Sequence, residues 1–258
     1  MDNEQTAATP RFLVFTLYAP VAAFGSTPMG ADRPSWPRPS RAAVLGLVAG
    51  TLGIVRTDED AHLGLDASLH YAVRTDGAGT PLRDYHTTQA AGRVRDLSWK
   101  NRREQLRLSG PDASTSANRA LPTILSNRDY LTDSLFTAVL WPRPNADDTV
   151  LDGIRNAMRE PAFTPFLGRK ASPLGLPLDP QVIEAPSFLH ALSMYHHATP
   201  ALRILERIGN PDHAVIAVDA DAPGVPDDAG IDRRADRLAS RARWQYLDRD
   251  EAVFTLPH

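Results

Sequence analysis

A nearly continuous apolar and β-branched run from Phe12 to Tyr18, broken at Ala19-Pro20, predicts a strand buried on both faces. Residues 20 to 39 then carry five prolines and two glycines, among which sit Arg33, Trp36 and Arg38, so this stretch predicts a long loop. Ser40 follows Pro39 and opens an Ala/Leu/Val-rich run up to Gly53. Ser40 is placed to cap a helix and Gly53 to close it. That helix is apolar nearly all round and hence buried, with Gly46 and Gly50 four apart on one face, where close packing on a sheet explains them.

Residues 66 to 74 predict a second strand, with turn chemistry following at Asp76-Gly77-Ala78-Gly79. Hydrophobic periodicity is lost between residues 83 and 120, which predicts a protruding arm. It returns at Phe136 to Trp141, a strand stopped by Pro142. Asp147 and Asp148 then open a helix with Val150, Leu151, Ile154, Ala157 and Met158 at helical spacing. Beyond residue 161 the chain is punctuated by proline, with a strand at Ala214 to Val218, an acidic loop through Asp232 and a further strand at Trp244 to Leu247. The order predicts an α+β chain with a split βαβ or ferredoxin-like β-α-β-β-α-β core, interrupted by one large insertion. Its closing strand is not evident in the pattern.

Composition narrows the function. With 258 residues and 42% hydrophobic content, the chain can build one large core, or a core and a smaller lobe. It has no cysteine, so disulfides, thiolate metal sites and thiol nucleophiles are excluded. The polar start MDNEQTAATP and the absence of a long apolar run predict a soluble, cytoplasmic protein with no membrane partner. A net charge of −3 argues against indiscriminate nucleic-acid binding, but it hides a local exception.

That exception is residues 93 to 107, where Arg93, Arg95, Lys100, Arg102, Arg103 and Arg107 face only Asp96 and Glu104, a net charge of +4. Cations interleaved with Trp99 suit a phosphate backbone and a stacked base, and equally a solvated charged hairpin. Just before it, Tyr85 and His86 offer a second cluster. His86 is a candidate general base for attack by a ribose 2′-hydroxyl, or else a structural histidine. Arg169 and Lys170 follow Gly168 in a proline-rich turn that is able to cradle a phosphate or simply be exposed. His190, His196 and His197 lack ligand spacing, and the acidic run Asp219, Asp221, Asp227, Asp228, Asp232 lacks the ordered positions of a calcium loop, so no metal is expected and the run reads as a solvated loop. Phosphate-loop, nucleophile-elbow, HExxH and dinucleotide signatures do not occur.

Five segments, in order, resemble the CasD family, the RAMP-type subunit of subtype I-E CRISPR surveillance complexes (Cascade). They are Arg33-Pro34-Ser35-Trp36-Pro37-Arg38-Pro39-Ser40, the helix with Leu45-Gly46-Leu47 and Leu52-Gly53-Ile54, Leu82-Arg83-Asp84-Tyr85-His86-Thr87, Arg128-Asp129-Tyr130-Leu131, and Pro165-Phe166-Leu167-Gly168-Arg169-Lys170. The resemblance covers residues 11 to about 185 and returns near Ser240 to Tyr246. A cysteine common in the glycine turn is replaced here by Ala171-Ser172.

The resemblance implies a ferredoxin-like (RRM/RAMP-type) domain over 11–175 with a basic thumb at 83–128; the proline-punctuated pattern reads as a smaller, loop-rich β lobe over 176–258, and residues 1–10, a departure from the family, read as a disordered extension. The resemblance further implies a non-catalytic subunit without cofactors that holds the 5′ handle of the guide RNA (crRNA). The subunit would dock against the backbone and large subunits and meet target DNA only through the complex. The implied RNA-binding residues are Arg33, Ser40 and Arg41, then Tyr85, His86, Arg93, Arg95, Trp99, Lys100, Arg102, Arg103 and Arg107 of the thumb, then Arg128, Arg169 and Lys170. The alternative is a metal-independent endoribonuclease acting on CRISPR repeat RNA, with His86 as base beside Tyr85.

Overall fold

The computed structural model describes residues 9–26, 28–89, 101, 103–104, 123–144, 146–208 and 213–257. Its centre is β1 (Arg11–Ala22), whose side chains are buried alternately on two faces, which is why its sequence reads as one apolar run. It pairs antiparallel with the twenty-residue β7 (Thr123–Pro142) on one side and with β8 (Gln181–Glu184) on the other. Next to β7 comes β5 (Leu69–Gly77), then β9 (His213–Asp219), β11 (Gln245–Pro257) and β10 (Gly230–Ser240). The sheet order is therefore β10-β11-β9-β5-β7-β1-β8. Strands expected to form a lobe of their own continue the main sheet through the β5–β9 pairing.

Helices cover both faces. On one side α1 (Arg41–Thr51) and α3 (Val150–Arg159) pack on Phe15, Leu17, Tyr71, Val73 and Phe136, with α2 (Glu59–Ser68) beside them. On the other, α4 (Phe188–Met194) and α5 (Thr199–Ile208) cover Val14, Ala72, Val139 and Leu135. Burial of both sheet faces in this three-layer arrangement supplies the main folding drive.

The sequence pattern and the structure differ in several places, each for a local reason. β1 passes through Pro20 and ends at Ala22. Pro20 lies between the paired positions Ala19/Ser134 and Val21/Thr132, level with Asp133, whose left-handed backbone (φ 52°) interrupts the ladder there. The strand expected over 66–74 begins at Leu69, because Asp58 caps α2 and keeps 59–68 helical. The loop after β1 contains the paired two-residue strands β2 (Phe24–Gly25) and β4 (Ser35–Trp36), while β3 (Asp32–Arg33) joins β7 in parallel. Ser40 caps α1 as predicted, accepting from the Ala43 amide at 3.1 Å. Gly46 and Gly50, however, do not meet the sheet: no atom lies within 4 Å of where a Cβ would stand on either.

Candidate nucleic-acid interface

The arm grows out of the sheet. Beyond Gly77 the chain turns at Gly79 into β6 (Thr80–Gln89), which pairs along its full length with the first half of β7, from Thr80/Thr132 to Gln89/Thr123. In this hairpin directly opposed residues share a face and neighbours alternate. One face carries Arg83, Tyr85 and Thr87 opposite Asp129, Asn127 and Leu125. The other carries Leu82, Asp84, His86 and Thr88 opposite Tyr130, Arg128, Ser126 and Ile124. Tyr85 (63%), Ile124 (58%) and Leu125 (44%) are exposed, a surface that the described residues leave uncovered.

Three separated segments meet on the second face. Arg33 in β3 is level with Arg128 in β7. Arg169 lies over the Tyr130 ring at 4.5 Å and donates to the Arg33 carbonyl at 3.2 Å. Stacking occupies the guanidinium's plane, Nη2 is taken by the Arg33 carbonyl, and Nη1 is buried without a hydrogen-bond partner among the described residues, so one N–H edge of this cation is unsatisfied. The turn bearing Arg169 and the exposed Lys170 is closed by Ser172 N donating to Arg169 O at 2.8 Å and Leu167 N to Ser172 O at 2.8 Å. It packs against β1 at Ala23, whose amide donates to Leu167 O at 3.3 Å.

Tyr85 and His86 are separated by strand alternation onto opposite faces of the arm. His86 instead neighbours Asp84, with Nδ1 3.6 Å from Oδ2. Ser40 and Arg41 do not reach the interface. Ser40 is committed to the helix cap, and Arg41, 2% exposed, donates to the carbonyls of Asp66 and Leu69 and lies 3.7 Å from Asp219. A buried cation already neutralised inside the protein offers no edge to a phosphate. Arg93, Arg95, Trp99, Lys100, Arg102 and Arg107 lie outside the described residues, while Arg103 is described and exposed.

What the sequence pattern missed is a buried lattice of charge away from the arm, toward the Leu69 end of β5. Glu251, fully buried, accepts from Arg38 (2.8 Å), Arg234 (3.1 Å) and Arg249 (2.6 Å). Asp219 accepts from the Tyr71 amide at 3.0 Å and from Arg143 and Arg249 at 3.2 Å each. Burial pushes its carboxyl up, and His70 with these arginines outweighs that push, holding it below the usual carboxylate range. Asp219 is thus no part of a solvated loop, though Asp227 and Asp228 are exposed as expected. His70, Asp219 and Asp221 bring donor atoms within 4.8 Å of one another. Arg143 bridges both carboxylates, however, so an added cation would have to displace a guanidinium. On the other sheet face His197 sits between Thr16 (2.9 Å) and Asp76 (3.3 Å), a buried relay that ties the segment after α4 to the sheet.

The model of the family described as CRISPR-associated protein (Cas_Cas5) matches residues 12–249, thereby spanning the core, the arm and the C-terminal strands together. The chain belongs to this Cas5 family. It is 33% identical over 175 residues to the CRISPR system Cascade subunit CasD of Escherichia coli (strain K12), an alignment that covers 65% of this chain and 69% of the relative. Two solved structures share its fold. A chain of a CRISPR RNA-guided surveillance complex superposes with a TM-score of 0.60 at 20% identity, over 95% of this chain and 89% of that one. A second, described as a Cas protein, gives 0.57 at 19% identity, over 95% of both chains. Of the residues implied by the motif resemblance, Arg33, Arg128 and Arg169 are neighbours in this structure. No described helix is long and apolar enough to cross a membrane.

Proposed function

We propose that the chain is a crRNA-binding subunit of a Cascade-type surveillance complex that holds the 5′ handle of the guide between its arm and the glycine turn. The single observation carrying this reading is the convergence of Arg33, Arg128 and Arg169 from three distant segments beside an exposed aromatic-bearing arm. Phosphate contacts supply affinity and register, while Tyr85, exposed on the opposite face of the arm, offers stacking to an unpaired base that wraps the arm. The similarity to a Cascade subunit supports the setting. The connectivity β1-α1-β5-β7-α3-β8, with its order β5-β7-β1-β8, supports a ferredoxin-like core in which β6 and the first half of β7 form the thumb. The subunit is proposed as non-catalytic, in keeping with its similarity to a Cascade subunit, and strand alternation deprives His86 of Tyr85 as a neighbour on its face.

The test reverses charge at Arg102, Arg103 and Arg128 together. The triple glutamate variant should fold normally in isolation yet fail to bind a repeat-derived RNA or enter a guide-containing complex, with the salt dependence of residual binding made shallower by about one per lost contact. Unchanged binding and complex yield would refute the reading. Site-specific cleavage of repeat RNA in chelator by wild type but not by His86→Ala would restore the nuclease.

A further inference from the structure

Among the buried helices, α1 turns an open stripe outward. Ala42, Gly46 and Gly50 lie on one side of it, Gly46 is exposed, and beyond the helix's own turns no atom comes within 4 Å of a Cβ built on Gly46 or Gly50. Two glycines weaken a helix, and here they serve no internal packing. Apolar side chains left in water rim its far end: Leu52 (37%), Val55 (51%) and Phe163 (49%), the last with its amide donating to Gly50 O at 3.2 Å.

A second observation points into the same stripe. Gly46 lines a shallow cleft with Leu45, His62, Asp66, Leu238 and Arg241, Asp66 lying 3.5 Å from Arg41. His62 is 8% exposed, and its Nε2, like Arg241 Nε, is buried without a hydrogen-bond partner. Buried polar atoms of this kind cost stability unless something satisfies them. Arg241 Nε–H requires an acceptor, and a peptide unit or carboxamide offers an acceptor and a donor side by side.

Charge decides which class of partner fits. Arg56 and Arg241 pack over the exposed Trp244 ring at 4.3 and 4.2 Å, with Arg243 beside them, but Asp58, Glu59 and Asp60 stand at the start of the neighbouring α2. Glu59 receives the Ala242 amide at 2.8 Å, binding the two elements together. With Asp66 in the cleft as well, these cations give no net positive field for a phosphate chain, whereas a glycine stripe rimmed by apolar residues suits protein.

We infer that the outer face of α1 is a protein docking surface that receives a helix of another subunit, laid along Gly46 and Gly50 with an Asn or Gln side chain filling the cleft at His62 and Arg241. This rests on the reading of the chain as a complex subunit, and it assigns that subunit contact to a face separate from the RNA-binding arm. The registers place the two apart: the arm leaves the sheet at the Gly77 end of β5, and the Arg241–Trp244 turn leaves at the Leu69 end.

The experiment co-expresses the full chain with the other protein subunits and guide RNA of its own complex, as wild type, Gly46→Leu and Gly50→Leu. Open space at both positions lets the isolated variants keep or raise the wild-type Tm, since leucine is the better helix former. They should bind repeat-derived RNA as wild type does, yet enter the complex about tenfold less well, as expected when bulk is forced into an interface core. Gly46→Ala, a smaller intrusion, should fall between. Full incorporation of both leucine variants would overturn the docking surface while leaving the RNA-binding role standing. A loss of RNA affinity in the isolated variants would also overturn it, by making the stripe an RNA surface. If wild type neither binds RNA nor assembles, both readings fall together.

Discussion

A methyl group on Gly168 would sit 1.6 Å from the Ala23 carbonyl oxygen, and the residue's φ of +81° is itself open mainly to glycine. The close approach is what presses the Arg169-Lys170 turn against β1 and sets the Arg169 guanidinium over Tyr130. Gly168→Ala must therefore move either the turn or β1, and the turn, more exposed, gives way. The variant should keep its core and lose the ordered placement of both cations. In a salt titration of repeat-RNA binding, its log–log slope should be shallower than wild type by about one to two. An unchanged slope would mean that the turn touches no phosphate. The same residue shows what was legible in the sequence at this scale. A glycine ahead of two cations announced a close backbone approach, whereas nothing in the local pattern distinguished Arg33, which reaches the candidate interface, from Arg41, which is buried toward the other end of β5. Both follow or precede proline-rich chain, and only the partners Asp66, Leu69 and Asp219, remote in sequence, separate them.

The arm is an element whose aim depends on its root. Gly79 has φ +70°, and a Cβ there would lie 2.5 Å from the Thr132 carbonyl, across the hairpin where β6 begins to pair with β7. Gly79→Ala would push the first pair apart and twist the arm relative to the sheet, while Leu135, Phe136 and the rest of β7 stay packed. Near-wild-type thermal stability with weakened RNA binding is expected, read by calorimetry and fluorescence anisotropy. Equal losses in both would show that the arm's root belongs to the core. Elements buried on both faces, such as β1 and the second half of β7, were legible because burial writes itself as apolar continuity. The first half of β7 was not, since a two-stranded arm standing in solvent has no core face to impose period two. β8 escaped for a related reason: four residues, half-buried at the sheet edge, carry too short a pattern.

At the scale of the whole molecule, the C-terminal strands are tied to the rest by charge as well as by the sheet. Glu251 on β11 meets Arg38 from the loop before α1, Arg234 from β10 and Arg249 from its own strand, all inside the protein. Arg234 and Arg38 also lie over the Trp36 ring, at 4.4 and 5.8 Å. Scattered in sequence, these residues read as surface charge, which is why the sequence pattern suggested a separate loop-rich lobe. Replacing one sheet by two bodies has a thermodynamic consequence: independent lobes melt separately, whereas a shared sheet and a shared ion lattice melt as one. Glu251→Gln keeps the shape but leaves three buried guanidiniums short of a negative charge, a loss expected to cost about 3–5 kcal/mol. For a chain of this length that corresponds to roughly 6–20 °C in Tm. The drop should appear in differential scanning calorimetry as a displaced single transition. If the variant instead splits the transition in two, with the earlier step confined to the C-terminal strands, those strands form the independent lobe and the lattice is only its hinge.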